Sequence, residues 1–304
     1  MEKYSKPSLP YSKQVDLLKS RGLGIADHVS AERFLKQVSY YRFSAYCLPF
    51  ETVRHQFKPN VNFDQITKLY EFDRRLRFLI DEALEVIEIT VRAIMAHEMA
   101  QKYGPFFHED PANFYGRFDH KNWVLKVHEQ ATRSREMFIA HYKSKYEGFP
   151  KLPIWMAVEI MSFGSISQLI DSLKREDQII LAKQFGLHTS ILMSWLHTFA
   201  YVRNICAHHA RFWDRKLAIA MVAPKDGRWV DVNTSRIGAA LLAINQFLHK
   251  LPIDKGIISE WRSEVEALFS RKIEVDDFLG AMGLSKELQK HPLWNLSGSK
   301  TMSP

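Results

Sequence analysis

The chain predicts an all-α protein. Apolar residues recur at i, i+3, i+4 and i+7 through most of its length, which is the signature of amphipathic helices. Breaks in that pattern are short and carry Gly or Pro, as at Tyr103-Gly104-Pro105 and in Gly148–Pro153 (GFPKLP). Strand-like patterning is confined to one stretch. LAIAMVAP, KDG and RWVDV, over Leu217–Val232, form one candidate β-hairpin.

The elements follow in order. Residues 1–10 are polar with two prolines and read as an arm. Ser12 to Ser20 reads as a short helix with Val15, Leu17 and Leu18 inward, ended near Gly22 and Gly24. Ser30 is a candidate N-cap for a helix through Val38. Val38–Phe50 (VSYYRFSAYCLPF) is dense in aromatics. Tyr40, Tyr41, Phe43, Tyr46 and Phe50 read first as core packing, with base stacking as the functional alternative. Residues 51–61 form a polar loop, and Asn62 opens a helical pattern that runs to about Lys102. That length exceeds an ordinary helix, so a bend or an antiparallel turn near Ile80–Asp81 is expected.

Residues 106–118 read as loop, and Asp119 to about Tyr146 as one helix. Helices follow over Ile154–Ser162, Ser165–Leu173, Asp177–Phe185 and Thr189 to about Arg215. After the candidate hairpin, Thr234–Leu251, Ile257–Phe269 and Val275–Met282 return to helix, and 295–304 is expected to be disordered. The expected organisation is an N-terminal helical and aromatic segment (1–61), a helical core (62–251), and C-terminal helices with a tail (252–304).

Composition bounds the function. The chain has 304 residues, 46% hydrophobic and 25% charged, an ordinary balance for a globular core. Its net charge of +8 suits a polyanionic partner but does not separate RNA, DNA and anionic lipid. Two cysteines, Cys47 and Cys206, make no disulfide framework, so a cytoplasmic location is expected. The first residues lack the apolar core of a signal peptide, and no run of about 18 apolar residues spans a bilayer, so no membrane partner is expected.

The most informative stretch is Trp195–Arg215 (WLHTFAYVRNICAHHARFWDR). Trp195, Phe199, Val202 and Cys206 recur at helical period as an apolar stripe. Asn204, His208, Arg211 and Arg215 recur at the same intervals on nearly the opposite side, with Arg203 beside them. Arg203-Asn204-x-x-x-His208 can cleave RNA without a metal or cofactor. Histidine titrates near neutrality and can move a proton to or from a ribose oxygen. Arginine can hold phosphate oxygens as charge builds on them. Asn204 can orient either group. On one continuous helix, Arg203 and His208 lie about 140° apart. Either Arg203 curls back, or two copies of the helix share a site.

Arg92 and His97 repeat that spacing in the long early helix, with Ala93 where the first motif has Asn. Glu88 and Arg92 are spaced for an intrahelical ion pair. Arg92 therefore reads as structural, or as a neighbour that holds the first site or the RNA. Cys47, Cys206, His208 and His209 match no common zinc spacing. Glu71, Asp73, Arg74, Arg75 and Arg77 read as a charged helix surface that could also track phosphates. No phosphate-binding glycine loop is present.

VSYYRFSAYCLPF, LYEFDRRLRFLI, IEITVRAIMAH, WMAVEIMSFGSISQL and YVRNICAHHARFWDR, in this order, resemble the Abi-like abortive-infection proteins of bacteria, in the Abi-D and Abi-F group. The resemblance spans roughly Leu9–Leu251. It implies a helical bundle of the HEPN superfamily, with extra helices at both ends, and metal-independent endoribonuclease action in antiphage defence or as a toxin. The superfamily's motif falls on Arg203, Asn204 and His208, with Arg92 and His97 as a candidate second motif. His209, Arg211, Arg215 and Arg42 would contact RNA. The resemblance also implies a homodimer through the Arg203–His208 helix and control by a small RNA or an antitoxin. The same basic face would alternatively serve a non-catalytic RNA-binding module or a helical protein-interaction scaffold.

Overall fold

The computed structural model describes Lys3 and residues 7–295. Only part of the expected arm lies within them. Of the tail expected to be disordered, only Asn295 does. The described residues form thirteen α-helices and one two-stranded antiparallel hairpin. In chain order these are α1 (Tyr11–Ser20), α2 (His28–Val38), α3 (Tyr40–Cys47), β1 (Glu51–Val53), β2 (Gln56–Phe57) and α4 (Phe63–Tyr103). Then come α5 (His120–Arg133), α6 (Met137–Lys145), α7 (Ile154–Ile160), α8 (Phe163–Ser172), α9 (Arg175–Gln184) and α10 (Thr189–Ala207). The last are α11 (Ile237–Leu248), α12 (Lys255–Phe269) and α13 (Phe278–Met282).

Helix α4 is the axis of the fold. Its first turn is closed by a capping box: Gln65 N–H donates to Asn62 Oδ1 at 3.0 Å, and Asn62 N–H donates to Gln65 Oε1 at 2.8 Å. It runs unbroken for 41 residues, a length of about 60 Å. No antiparallel turn breaks it near Ile80–Asp81. Leu79, Ile80 and Leu84 are fully buried there, while Asp81 sits on the exposed side of the helix. Helices α3, α7, α8, α9, α10, α11 and α12 all pack against α4. Burial along its length makes an interruption unnecessary.

Helix α10 packs on α4 and α8. Trp195, Phe199 and Val202 are fully buried and Cys206 nearly so, as the apolar stripe predicts. Helix α11, between α4, α10 and α12, is buried at every residue. The aromatic segment divides as its core reading expects: Phe43, Tyr46 and Phe50 are buried, while Tyr41 is 89% exposed.

Several boundaries differ from expectation. Asp27, not Ser30, caps α2, accepting the Ser30 N–H at 3.0 Å. The span Asp119–Tyr146 is two helices, because Ser134 and Glu136 adopt extended backbone between them. The last helix is confined to Phe278–Met282. The hairpin lies at Glu51–Phe57, where a polar loop is expected, and Leu217–Val232 pairs no strands. That later segment is instead held by backbone bonds to the chain before α11: Leu217 N–H to Ser235 O at 2.8 Å and Met221 N–H to Thr234 O at 2.9 Å. Its Trp229 is buried against Trp195.

Close packing of α11 makes one position sensitive. A Cβ at Gly238 would sit 2.7 Å from the Met282 carbonyl oxygen and 2.8 Å from Leu284 Cγ. Gly238→Ala should therefore destabilise the fold by about 1–3 kcal/mol in urea unfolding. Wild-type stability in that variant would contradict the contact between α11 and the end of α13.

Candidate functional site

The motif Arg203-Asn204-x-x-x-His208 lies at the C-terminal end of α10, which ends at Ala207 rather than near Arg215. His208 is the C-cap, and His209 takes a left-handed conformation with φ 54°. His209 N–H donates to Cys206 O at 2.9 Å and Ala210 N–H to Ile205 O at 3.1 Å. This is the Schellman pair of bonds, with His where Gly is usual. A non-glycine residue there costs roughly 1–2 kcal/mol. No Gly or Pro announces the stop, which is why the sequence pattern runs past it.

Contacts from two other helices hold this end. Arg42 of α3 donates through Nη1 to the His209 carbonyl. Arg77 of α4 donates through Nη1 to the Ala210 carbonyl at 3.2 Å. The central contact is the Asp73 carboxylate of α4, which is fully buried. It accepts the backbone N–H of Phe212 at 3.1 Å and of Trp213 at 2.6 Å, the Tyr46 hydroxyl at 2.5 Å, and the Arg77 guanidinium. Burial pushes the Asp73 carboxyl up from its ordinary value, against the pull of Arg77, Tyr46 and the two amides. Every contact comes from a donor, so the geometry holds the ionised form. Burial, and then the Asp73 charge, push the Tyr46 hydroxyl up.

Asp73 and Arg77 are thus not the charged helix surface expected of them. Arg74 and Arg75 do lie at the surface, paired with Glu71 and Glu264. The buried role of Asp73 has a trace in the sequence: it falls between Leu69 and Leu76 on the apolar side of α4, four residues before Arg77.

Arg203 is one-third exposed, and its Nε lies 3.3 Å from Glu88 Oε2. Its Nη1 reaches Asn204 Oδ1 at 3.4 Å. Glu88 is buried, and its other oxygen accepts Arg92 Nη2 at 2.5 Å. Arg92 Nη2 also donates to the Met161 carbonyl at 2.7 Å. The Glu88–Arg92 pair is therefore the intrahelical one expected, and the same carboxylate holds Arg203. Sequence spacing gives no sign of this second use, which joins residues of α4 and α10.

The remaining candidates divide. Asn204 and His208 are exposed, and the Asn204 carbonyl accepts the His208 N–H at 3.0 Å. His97 is exposed on α4, about 140° round the helix from Arg92. Arg211 donates to the Ala45 carbonyl and pairs with Asp214 at 3.1 Å. Arg215 donates to the Arg211 carbonyl at 3.2 Å. Cys47 and Cys206 are buried thiols, and burial pushes both up from the ordinary thiol range. Among the described residues, no group of three or more His, Cys, Asp or Glu side chains is placed to hold a metal ion.

Two depressions flank the motif. A groove of about 760 Å³ between α8 and α10 is lined by Gln168, Asp171, His197, Tyr201 and Asn204, among others. A crevice of about 280 Å³ on the other side includes Arg42, Arg74, Asp81, Ala207 and His209. Asn204 of the motif lines the first, and Ala207 and His209, on either side of His208, line the second.

Removing the buried carboxylate tests the anchor. Asp73→Ala should cost about 3–5 kcal/mol in guanidinium unfolding, because Arg77 and two amides lose their partner. Asp81→Ala, on the exposed side of the same helix, should stay within about 0.5 kcal/mol of wild type. Equal effects of the two substitutions would contradict the anchoring role.

No curated protein and no solved structure matches the chain. Among the described residues, no helix is long and apolar enough to cross a membrane. The model of the Abi-like protein family matches residues 33–214, from the middle of α2 to just past the Asp73-anchored turn. That match covers more than half of the sequence and includes both arginines on Glu88 and the whole end of α10, so the chain belongs to the Abi-like abortive-infection family.

Proposed function

We propose that this protein is a metal-independent endoribonuclease of the HEPN type, acting in abortive infection against phage. The observation that carries the proposal is the arrangement at the end of α10. Arg203 is oriented by the buried Glu88, and Asn204 and His208 stand exposed one and five residues further along the chain. A positioned guanidinium and an accessible imidazole are the minimum set for cleavage by an internal ribose hydroxyl.

In the reaction, the 2′-oxygen attacks the adjacent phosphorus and the bond to the 5′-oxygen breaks. The proton of the 2′-hydroxyl leaves to a base, and a proton arrives on the departing 5′-oxygen. His208 carries one of these transfers as general acid or base. Arg203 stabilises the negative charge that gathers on the phosphoryl oxygens. Asn204 orients His208. A second copy of the chain, docked through the end of α10, would supply the complementary transfer and complete a composite site. His209 and Arg42 bind the RNA backbone, with Arg211 and Arg215 reinforcing the segment that presents them. Arg92 holds Glu88, and His97 belongs to a second motif only if the partner reaches it. A small RNA or antitoxin would restrain the activity in the host, because an unrestrained ribonuclease is toxic.

The test is cleavage of single-stranded RNA in excess EDTA. Wild type should cut, and His208→Ala should lose about 10²–10⁴-fold in rate. Equal cleavage by both proteins would overturn the assignment. RNA binding with a steep salt dependence but no cleavage would mark a binding module instead.

A further inference from the structure

The crevice beside the motif has a composition that a phosphate track alone does not explain. It lies between α3, α4 and the end of α10, and Ala207 and His209 on its wall bracket His208. Arg42 brings positive charge to it, while Arg74 and Arg77, also on its wall, are paired with Glu71 and Asp73. Phe78 lines it as well and is 53% exposed, although it projects from a helix whose apolar residues are otherwise mostly buried. The Arg74 guanidinium lies 5.5 Å from the centre of the Phe78 ring. An exposed ring carrying a guanidinium is a stacking platform for a nucleobase.

Asp81 also lines the crevice and is exposed, with no ion pair to the described residues. A carboxylate disfavours a bare phosphate but accepts N–H donors on a base edge. The volume, about 280 Å³, is near the lower end of small-ligand pockets, roughly 300 Å³.

We infer that this crevice is a nucleotide subsite that takes one unpaired nucleotide of single-stranded RNA beside the bond to be cut. The base stacks on Phe78 and Arg74, Asp81 accepts from its edge, and Arg42 and His209 hold the flanking phosphate. A paired base cannot leave its stack to enter without paying for unpairing, so duplex RNA is selected against. The subsite rests on the ribonuclease reading of the neighbouring motif.

The experiment uses the full chain carrying His208→Ala, so that RNA is bound without being cut. A labelled 12-nucleotide single strand, the same strand in a blunt duplex, and AMP are the probes. The single strand should bind at least about tenfold more tightly than the duplex. Adding Phe78→Ala should weaken single-strand binding about tenfold, leave duplex binding unchanged, and be rescued by Phe78→Trp. Equal binding of strand and duplex, or no effect of Phe78→Ala, would overturn the subsite. AMP binding as tightly as the oligonucleotide would also overturn it, and would mark a site for free nucleotides. If the binding pattern holds while the chain with His208 intact leaves RNA uncut, the ribonuclease reading falls and the subsite stands.

Discussion

The Asp73 carboxylate, buried on the central helix, fixes the place where the candidate chemistry is displayed. It gathers two backbone amides from the turn after α10, a tyrosine hydroxyl from α3 and a guanidinium from its own helix. An ionised group so deep in a protein is costly unless its acceptor sites are met, and here donors from three parts of the chain meet them. The result is a turn that cannot drift. His209 is held left-handed, α10 stops at Ala207, and His208 is left at an exposed corner rather than on a helix flank. Energy from a buried network is thereby used to hold a strained segment at the surface.

A second buried carboxylate on the same helix, Glu88, does the corresponding work for Arg203. Helix α4 thus supplies both anchors, one for the arginine and one for the turn that carries the histidine. Because α4 is packed by seven other helices, its two carboxylates keep a fixed separation. The motif is therefore preorganised by a rigid element on which neither Arg203 nor His208 lies. Such support lets a guanidinium act on developing charge without first being ordered. It also gives the two halves of the site different neighbourhoods. Asn204 opens onto the groove with α8, and His209 onto the basic crevice with α3.

Much of this architecture is legible in the sequence, for identifiable reasons. The apolar stripe of Trp195, Phe199, Val202 and Cys206 predicts its own burial because helical periodicity is a property of neighbouring residues. The Glu88–Arg92 pair is legible for the same reason. What cannot be read there is set by distant partners. Nothing near Ala207 ends a helix by composition, and the stop depends on Asp73, more than 130 residues earlier. The continuity of α4 past Ile80 depends on seven packing partners rather than on its own pattern. The Leu217–Val232 segment alternates like a strand but finds no strand to pair with, so it folds against Ser235, Thr234 and Trp195 instead. Glu88 reveals one partner by its spacing and conceals the other.

On the proposed reading, the helix end places Arg203 and His208 against a phosphodiester, and that chemistry would leave a mark on the product. Cleavage by an internal 2′-oxygen retains the phosphate on the upstream fragment. Mass spectrometry of the ends produced from a defined single-stranded RNA reads this directly. A 2′,3′-cyclic phosphate on one fragment and a 5′-hydroxyl on the other are the expected ends. A 3′-hydroxyl with a 5′-phosphate would show attack by water instead and would contradict that reading.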